Sequence, residues 1–285
     1  MIKHKAFIRV VELGSLTKAA KELGYSQPGI SYMLNTLEEE MGFPLLRRTR
    51  DAIVPTENGT KILDCCYELV KAKTTLEETA QAINGILTGT LKIAALNSMA
   101  INYVPPIISK FKERYPQIDI HLEEFSIPDI HNMLLKMQCD IAFISKDFPK
   151  SCSFYPLFDD PLGVCIPANH PLAEKEEVDI SDLNDCEFIM PLPGWDDLYD
   201  IVYQTEPFSP TISHYVASDR GAVAMVASNL GISILPELQA KCLPHNTTWR
   251  KFSANCSRTL GYCITSMAHA SPALRKFIAI INEKE

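Results

Sequence analysis

No run in this sequence is apolar for long enough to span a bilayer, which takes about 20 consecutive apolar residues. The opening residues, Met1 to Lys5, lead into an amphipathic pattern instead of the apolar core of an export signal. A cytoplasmic protein with reduced thiols and no membrane partner is therefore expected. Catalytic signatures are missing too: the chain has no GxSxG elbow, P-loop, GxGxxG or HExxH. Its histidines (His4, His121, His131, His170, His214, His245 and His269) show no metal-ligand spacing. The nine cysteines are odd in number and scattered, with no CxxC pair, so neither a zinc site nor a disulfide framework is expected. Cys65 and Cys66 are adjacent in a helical stretch and could bridge each other only under strain, and most other cysteines lie in apolar surroundings and read as core. Neither enzyme, metal nor cofactor is expected.

Basic charge is also in short supply, with a net charge of −8 over 285 residues. Taken alone this argues against a nucleic-acid partner, since affinity for phosphates rests on Lys and Arg. Its distribution reverses the argument. Residues 1–60 hold eight Lys/Arg and seven Asp/Glu, so all of the excess acid lies in the remaining chain.

What is present begins with three short helical patterns. Phe7, Val10, Val11 and Leu13 define the first, closed by Gly14. Ala19, Ala20 and Leu23 define the second, opened by the capping candidates Ser15 and Thr17 and ended by Gly24. Ser26 is a good cap for a third, in which Ile30, Leu34, Leu37 and Met41 form a buried stripe that Gly42 stops. Pro28, Tyr32 and Asn35 fall on the opposite side, with Gln27 and Ser31 on the flank. A tight turn followed by a helix with a polar, uncharged outer face is the layout of a base-reading helix. Beyond it, Arg47, Arg48 and Arg50 flank Ile53-Val54, as expected of a two-stranded wing gripping phosphate.

One long helix is expected from Thr56 to Leu87. Ile62, Cys66, Leu69, Lys73, Leu76, Ala80, Ile83 and Leu87 step alternately by four and three, a heptad seam that calls for a second helix and hence a second copy. From Thr90 the grain changes to alternating strands and helices, with strands expected at 90–96, 118–125, 139–144, 162–166, 211–217 and 231–235. Doubly wound α/β domains with parallel sheets are expected.

Residues 7–59 resemble the LysR-type transcriptional regulators: Phe7, the run Glu12 to Ala20, Leu23, Ser26-Gln27-Pro28, Ser31, Leu37-Glu38, Gly42, Leu45, Arg47, Arg50 and Thr56 to Gly59 carry the likeness. Gly89 to Ile93, Ser98, Phe111, Tyr115-Pro116, Asp140 to Ala142, His170 to Leu172 and Leu230 to Pro236 are similar to the family's effector domain. Departures are Gly29 for Ala, Leu46 for Phe, Tyr32 where Arg is frequent, and Met137 before Asp140 where Gly is common.

The resemblance implies an α+β multidomain fold: a winged helix-turn-helix at 1–58, a linker and dimerisation helix at 59–88, and a two-lobed, periplasmic-binding-protein-like effector domain at 89–285. Lobe I would comprise 89–161 and 265–285, and lobe II 162–264, the chain crossing near 161–163 and returning near 263–266. It implies a homodimer or tetramer on double-stranded DNA with dyad symmetry, modulated by a small-molecule effector. Expected DNA contacts are Gln27, Pro28, Ser31, Tyr32 and Asn35 to bases, and Thr17, Lys18, Arg47, Arg48 and Arg50 to the backbone. In α/β domains ligands sit at the carboxyl ends of strands. The effector candidates are thus Asn97, Ser98, Met99, Ser126, Ser145, Gly194, Ser218 and Asp219, with Ser98 foremost. A catalytic α/β core and a solute-binding protein without regulatory role are the competing classes. The first lacks every motif, and the second leaves the first 88 residues unexplained.

Overall fold

Capping chemistry sets the first helices. Helix α1 (Ile2–Leu13), α2 (Leu16–Leu23) and α3 (Gln27–Met41) end at Gly14, Gly24 and Gly42, each in left-handed backbone. Ser15 and Ser26 accept from the amides of Lys18 and Gly29 at the starts of α2 and α3. A hairpin of β1 (Leu46–Arg48) and β2 (Ile53–Pro55) follows, then α4 (Glu57–Ile83), capped by Thr56 on the Gly59 amide at 2.9 Å. The computed structural model describes residues 1–50, 52–146, 148–195 and 197–283, and the chain divides at Ile86 into two compact units.

The core of the first unit gathers Phe7, Ile30, Leu34, Leu37 and Leu45 with Leu63, Cys66 and Tyr67 of α4. Met41, the last residue of the expected stripe, is exposed, because α3 has by then run past the helices that cover it. The Glu38 carboxylate accepts from the amides of Leu45 (2.6 Å) and Leu46 (3.1 Å), tying α3 to the hairpin. Tyr67 donates to Glu12 at 2.8 Å and fastens α4 to α1. The long helix ends at Ile83, four residues before the expected Leu87, where Asn84 and Gly85 (φ +79°) turn the chain.

The second unit is built on β3 (Gly89–Ala95), β4 (Ile118–Glu124), β5 (Ile141–Ser145), β6 (Ser153–Pro167), β7 (Glu187–Pro191), β8 (Thr211–Val216), β9 (Ser233–Pro236), β10 (Thr247–Lys251) and β11 (Ser257–Ile264). Its helices are α5 (Asn97–Asn102), α6 (Val104–Arg114), α7 (Ile127–Leu135), α8 (Leu198–Thr205), α9 (Asp219–Ala227), α10 (Glu237–Ala240) and α11 (Pro272–Ile281). The main sheet has the order β10-β6-β11-β5-β3-β4, with β9 also on β6. It is mixed, which corrects the expectation of parallel sheets. Only β4-β3-β5 run parallel, while β6 and β11 pair antiparallel with their neighbours.

Strand β6 joins the two lobes. Its first part pairs with β11, and its last residues, 162–167, pair with β9 and β10. One core holds β3–β5, α6, α7, α11 and residues 260–264, and separate cores around Phe188 and around Cys165 serve the other lobe. All of β11 therefore runs with lobe I or at its border, and the return crossing lies at about residues 253–257, not 263–266. The physical reason is the register: Arg258 sits opposite Asp160 and Cys263 opposite Phe154, so β11 must retrace β6 into the first lobe. Met137 adopts φ +51° after α7, so a non-glycine residue holds the left-handed turn, a conformation that costs ~1–2 kcal/mol.

Candidate DNA-reading surface and interlobe cleft

Burial of Ile30, Leu34 and Leu37 against α1 and α2 forces the other side of α3 outward. Gln27, Pro28 and Asn35 are exposed, Tyr32 is 74% exposed, and Ser31 is half-buried on the flank. Thr17 and Lys18 are exposed in the first turn of α2.

Arg47 and Arg48 occupy successive β1 positions opposite Val54 and Ile53, and so point to opposite faces of the hairpin. Thr49 closes its tip, accepting from the Ala52 amide (3.1 Å) and donating to the Ala52 carbonyl (2.8 Å). The Ile53 amide donates to the Gly14 carbonyl at 2.9 Å, which anchors the hairpin beside the α1–α2 turn. Arg47, Arg48 and Arg50 are all exposed, and none pairs with a carboxylate among the described residues. By contrast Lys3 pairs with Glu40, and Arg9 with Glu12 and Glu22. Among the described residues of the first unit, the arginines without a carboxylate partner are those on the wing.

In the second unit the two lobes face each other across a small cleft lined by Leu96, Asn97, Ser98, Phe125, Trp195, Asp219 and Arg258. Its free space is ≈10 Å³, room for about one water. The lobes touch directly around it. The Ile127 amide donates to the Trp195 carbonyl at 3.4 Å, and Ser145 donates to Asp197 at 3.3 Å.

Three of the sequence-based effector candidates, Asn97, Ser98 and Asp219, come together in this cleft. Met99 does not: it is fully buried in the core of lobe I, because α5 turns its side chain inward. Ser126 and Ser218 serve as caps, accepting from the amides of Asp129 and Gly221. Ser145 is buried in its bond to Asp197, and Gly194 (φ +78°) forms the turn that brings up Trp195.

Sequence reasoning missed Arg258, Asp160 and Phe125. Arg258 and Asp160 are 5% and 2% exposed and stand opposite each other on β11 and β6. Arg258 Nε and Nη2 donate to one Asp160 oxygen at 3.2 and 3.1 Å, and the other oxygen accepts from the Leu238 amide at 2.9 Å. Nη2 also donates to Ser98 Oγ at 2.7 Å. The available signal was an arginine and an aspartate at the borders of apolar strands, where a charge must find a partner.

Asp219 is 9% exposed, and its carboxylate has no hydrogen bond or ion pair among the described residues. Burial pushes its carboxyl up; nearby Arg258 pulls it back, and Glu124 adds to the rise. Elsewhere, burial lifts the Cys165 thiol to about 12. Cys152 is drawn down to about 7 by the Cys263 thiol donating to it, and that same bond raises Cys263.

A helix-turn-helix with an arginine-bearing wing, a long helix and a two-lobed α/β domain together define a transcription regulator, not an enzyme. Residues 3–60 match the family model described as bacterial regulatory helix-turn-helix protein, lysR family, and residues 84–285 match the LysR substrate binding domain. The chain belongs to the LysR family of transcriptional regulators. The HTH-type transcriptional regulator AlsR of Bacillus subtilis (strain 168) is 28% identical over 284 residues, spanning 97% of this chain and 93% of the relative. A full-length OxyR variant from Pseudomonas aeruginosa shares the structure with a TM-score of 0.79 and 26% identity, over 99% of this chain and 94% of that one. Full-length CbnR complexed with its target DNA matches in fold with a TM-score of 0.69, at 20% identity and 98% coverage of both chains. No helix among the described residues is long and apolar enough to cross a membrane.

Proposed function

We propose that this protein reads a dyad-symmetric DNA operator sequence-specifically as a dimer or tetramer, and that a small molecule bound between the lobes of its effector domain modulates that binding. The observation that carries the reading is the outward, uncharged face of α3 beside three wing arginines that have no carboxylate partners among the described residues. Unpaired guanidinium groups are available to phosphates without first breaking an ion pair. Gln27 and Asn35 have the paired donor and acceptor that match an adenine edge, with Ser31 and Tyr32 beside them and Pro28 offering apolar contact to a thymine methyl. Thr17 and Lys18 meet the backbone at the start of α2. The DNA-bound CbnR, which shares the fold, supports duplex DNA as the partner.

The domains are assigned as DNA-binding at 1–58, dimerising along α4, and effector-binding from 89 onward. Leu69, Leu76 and Ile83 are exposed on α4 at heptad spacing, Ile83 to 82%, and a second copy of the helix is what such a seam fits. The effector then acts by its differential affinity for two arrangements of the lobes.

The test is fluorescence anisotropy of the full chain against the duplex upstream of its own coding sequence. Salt-sensitive binding that prefers this duplex over a scrambled one is expected, and absence of any salt-sensitive affinity for duplex DNA overturns the reading. Self-association is tested by Leu76→Glu with Ile83→Glu, expected to give a monomer in sedimentation velocity at micromolar concentration. An unchanged sedimentation coefficient would remove the α4 interface.

A further inference from the structure

Two of the residues lining the interlobe cleft carry acceptors with no donor among the described residues. Asn97 donates its amide nitrogen to Glu124 at 2.6 Å. A carboxylate only accepts, so this contact fixes the amide's orientation and leaves Asn97 Oδ1 as the other end. That oxygen is buried and has no donor. Asp219, in the first turn of the nine-residue α9, lines the same cleft, is more than nine-tenths buried, and has no donor among the described residues. Two acceptors on residues that line one small cleft thus have no hydrogen-bond donor among the described residues, an arrangement that costs free energy until a donor arrives.

The fixed charges point the same way. Among the described residues Arg258 is the only cation lining the cleft, and Asp160 already offsets it through two hydrogen bonds. Asp219, and Glu124 bonded to Asn97, are left in excess. An incoming carboxylate would be repelled by these two charges, and the charge of Arg258 is already offset by Asp160. Phe125 and Trp195 supply aromatic rings from the two sides of the cleft. Ring faces attract cations and give nothing to carboxylates.

We infer that the group recognised in this cleft is a positively charged nitrogen, an organic ammonium, whose N–H donors meet Asp219 and Asn97 Oδ1 while its alkyl part lies against Phe125 and Trp195. The inference rests on the reading of the cleft as the effector site and adds the chemical class of the ligand. The raised carboxyl of Asp219 agrees with it: the site holds a carboxylate short of positive charge. A ligand larger than a water must part the lobes, and the contacts Ile127–Trp195 and Ser145–Asp197 are those that opening would break.

The experiment is calorimetric titration of the full chain at constant ionic strength with n-propylammonium, 1,4-diaminobutane and alanine, against butyrate and succinate. Binding is expected for at least one probe carrying an ammonium and for neither pure carboxylate. Asp219→Asn is expected to weaken that binding tenfold or more, and Ser15→Ala, at the cap of α2 in the first unit, to leave it unchanged. Comparing probes on the unaltered protein needs no variant to fold. Binding of butyrate or succinate that Ser98→Ala weakens and Asp219→Asn spares would overturn the charge assignment and leave the cleft as the effector site. Absence of binding by all five probes, or binding indifferent to both substitutions, would overturn the assignment together with the cleft.

Discussion

Asp219 illustrates how a single residue can trade stability for function. Its position in the first turn of α9 gives its carboxylate favourable interaction with the helix N-terminus. Burial without a donor works against the charge, and the balance lies with burial, which raises the carboxyl above its ordinary 3.8. The consequence for stability has a definite sign. Above its ordinary value the unfolded chain has given up a proton that the folded chain still holds, so stability falls as pH rises toward and through the raised value. Asp219→Asn removes that ionisation. The variant is expected to match the parent protein near pH 4 and to be the more stable at pH 7, the gap widening between. Urea unfolding of both proteins across this range measures the gap. A difference independent of pH would show that Asp219 titrates alike in the folded and unfolded chains.

Among the elements, the joint between wing and α4 leaves the least room. A Cβ on Gly59 would lie 2.1 Å from the Leu45 carbonyl oxygen, so α4 approaches the start of the hairpin as closely as only glycine permits. Gly59→Ala must therefore displace either the helix or β1, at a cost of about 1–3 kcal/mol by analogy with overpacked cores. Because β1 carries Arg47 and Arg48, the same change is expected to weaken binding to all duplexes alike, read by thermal unfolding and anisotropy together. A variant with parental stability and affinity would mean that the joint is slack. Elements of this kind were legible in the sequence because they are set locally. Ser26 and Gly42 bracket α3, and the four-three spacing marks α4 even where its seam is exposed. Strand β6 was legible only over its apolar residues 162–166. Its first half carries Pro156 inside the run Phe154–Phe158, and a proline within an apolar run argues against a strand.

At the scale of the whole molecule, the proposed DNA-reading surface is contiguous in the sequence and the cleft is not, for one physical reason. The first is two helices and a hairpin, contiguous between Thr17 and Arg50, whereas the second gathers residues 96–98, 125, 195, 219 and 258 through the register of β6 against β11. Nothing local in the sequence announces that Arg258 will face Asp160. The distribution of charge, however, is a property of the whole chain and yields a number. The protein carries −8 overall, so non-specific attraction to DNA must come from the few cations that the fold aims outward on the reading unit. Lys18, Arg47, Arg48 and Arg50 are the exposed set that this surface contributes. If a dimer sets all of them on phosphates, log K should fall against log salt with a slope of about −7, at about −0.9 per neutralised phosphate. Arg50→Ala is then expected to make that slope shallower by about 2, equally for matched and mismatched operators. Asn35→Ala should leave the slope alone and erase about 1–3 kcal/mol of discrimination at one base pair in each half-site. Anisotropy titrations at several salt concentrations separate the two effects, and identical behaviour of the two variants on every duplex would refute the division of labour between α3 and the wing.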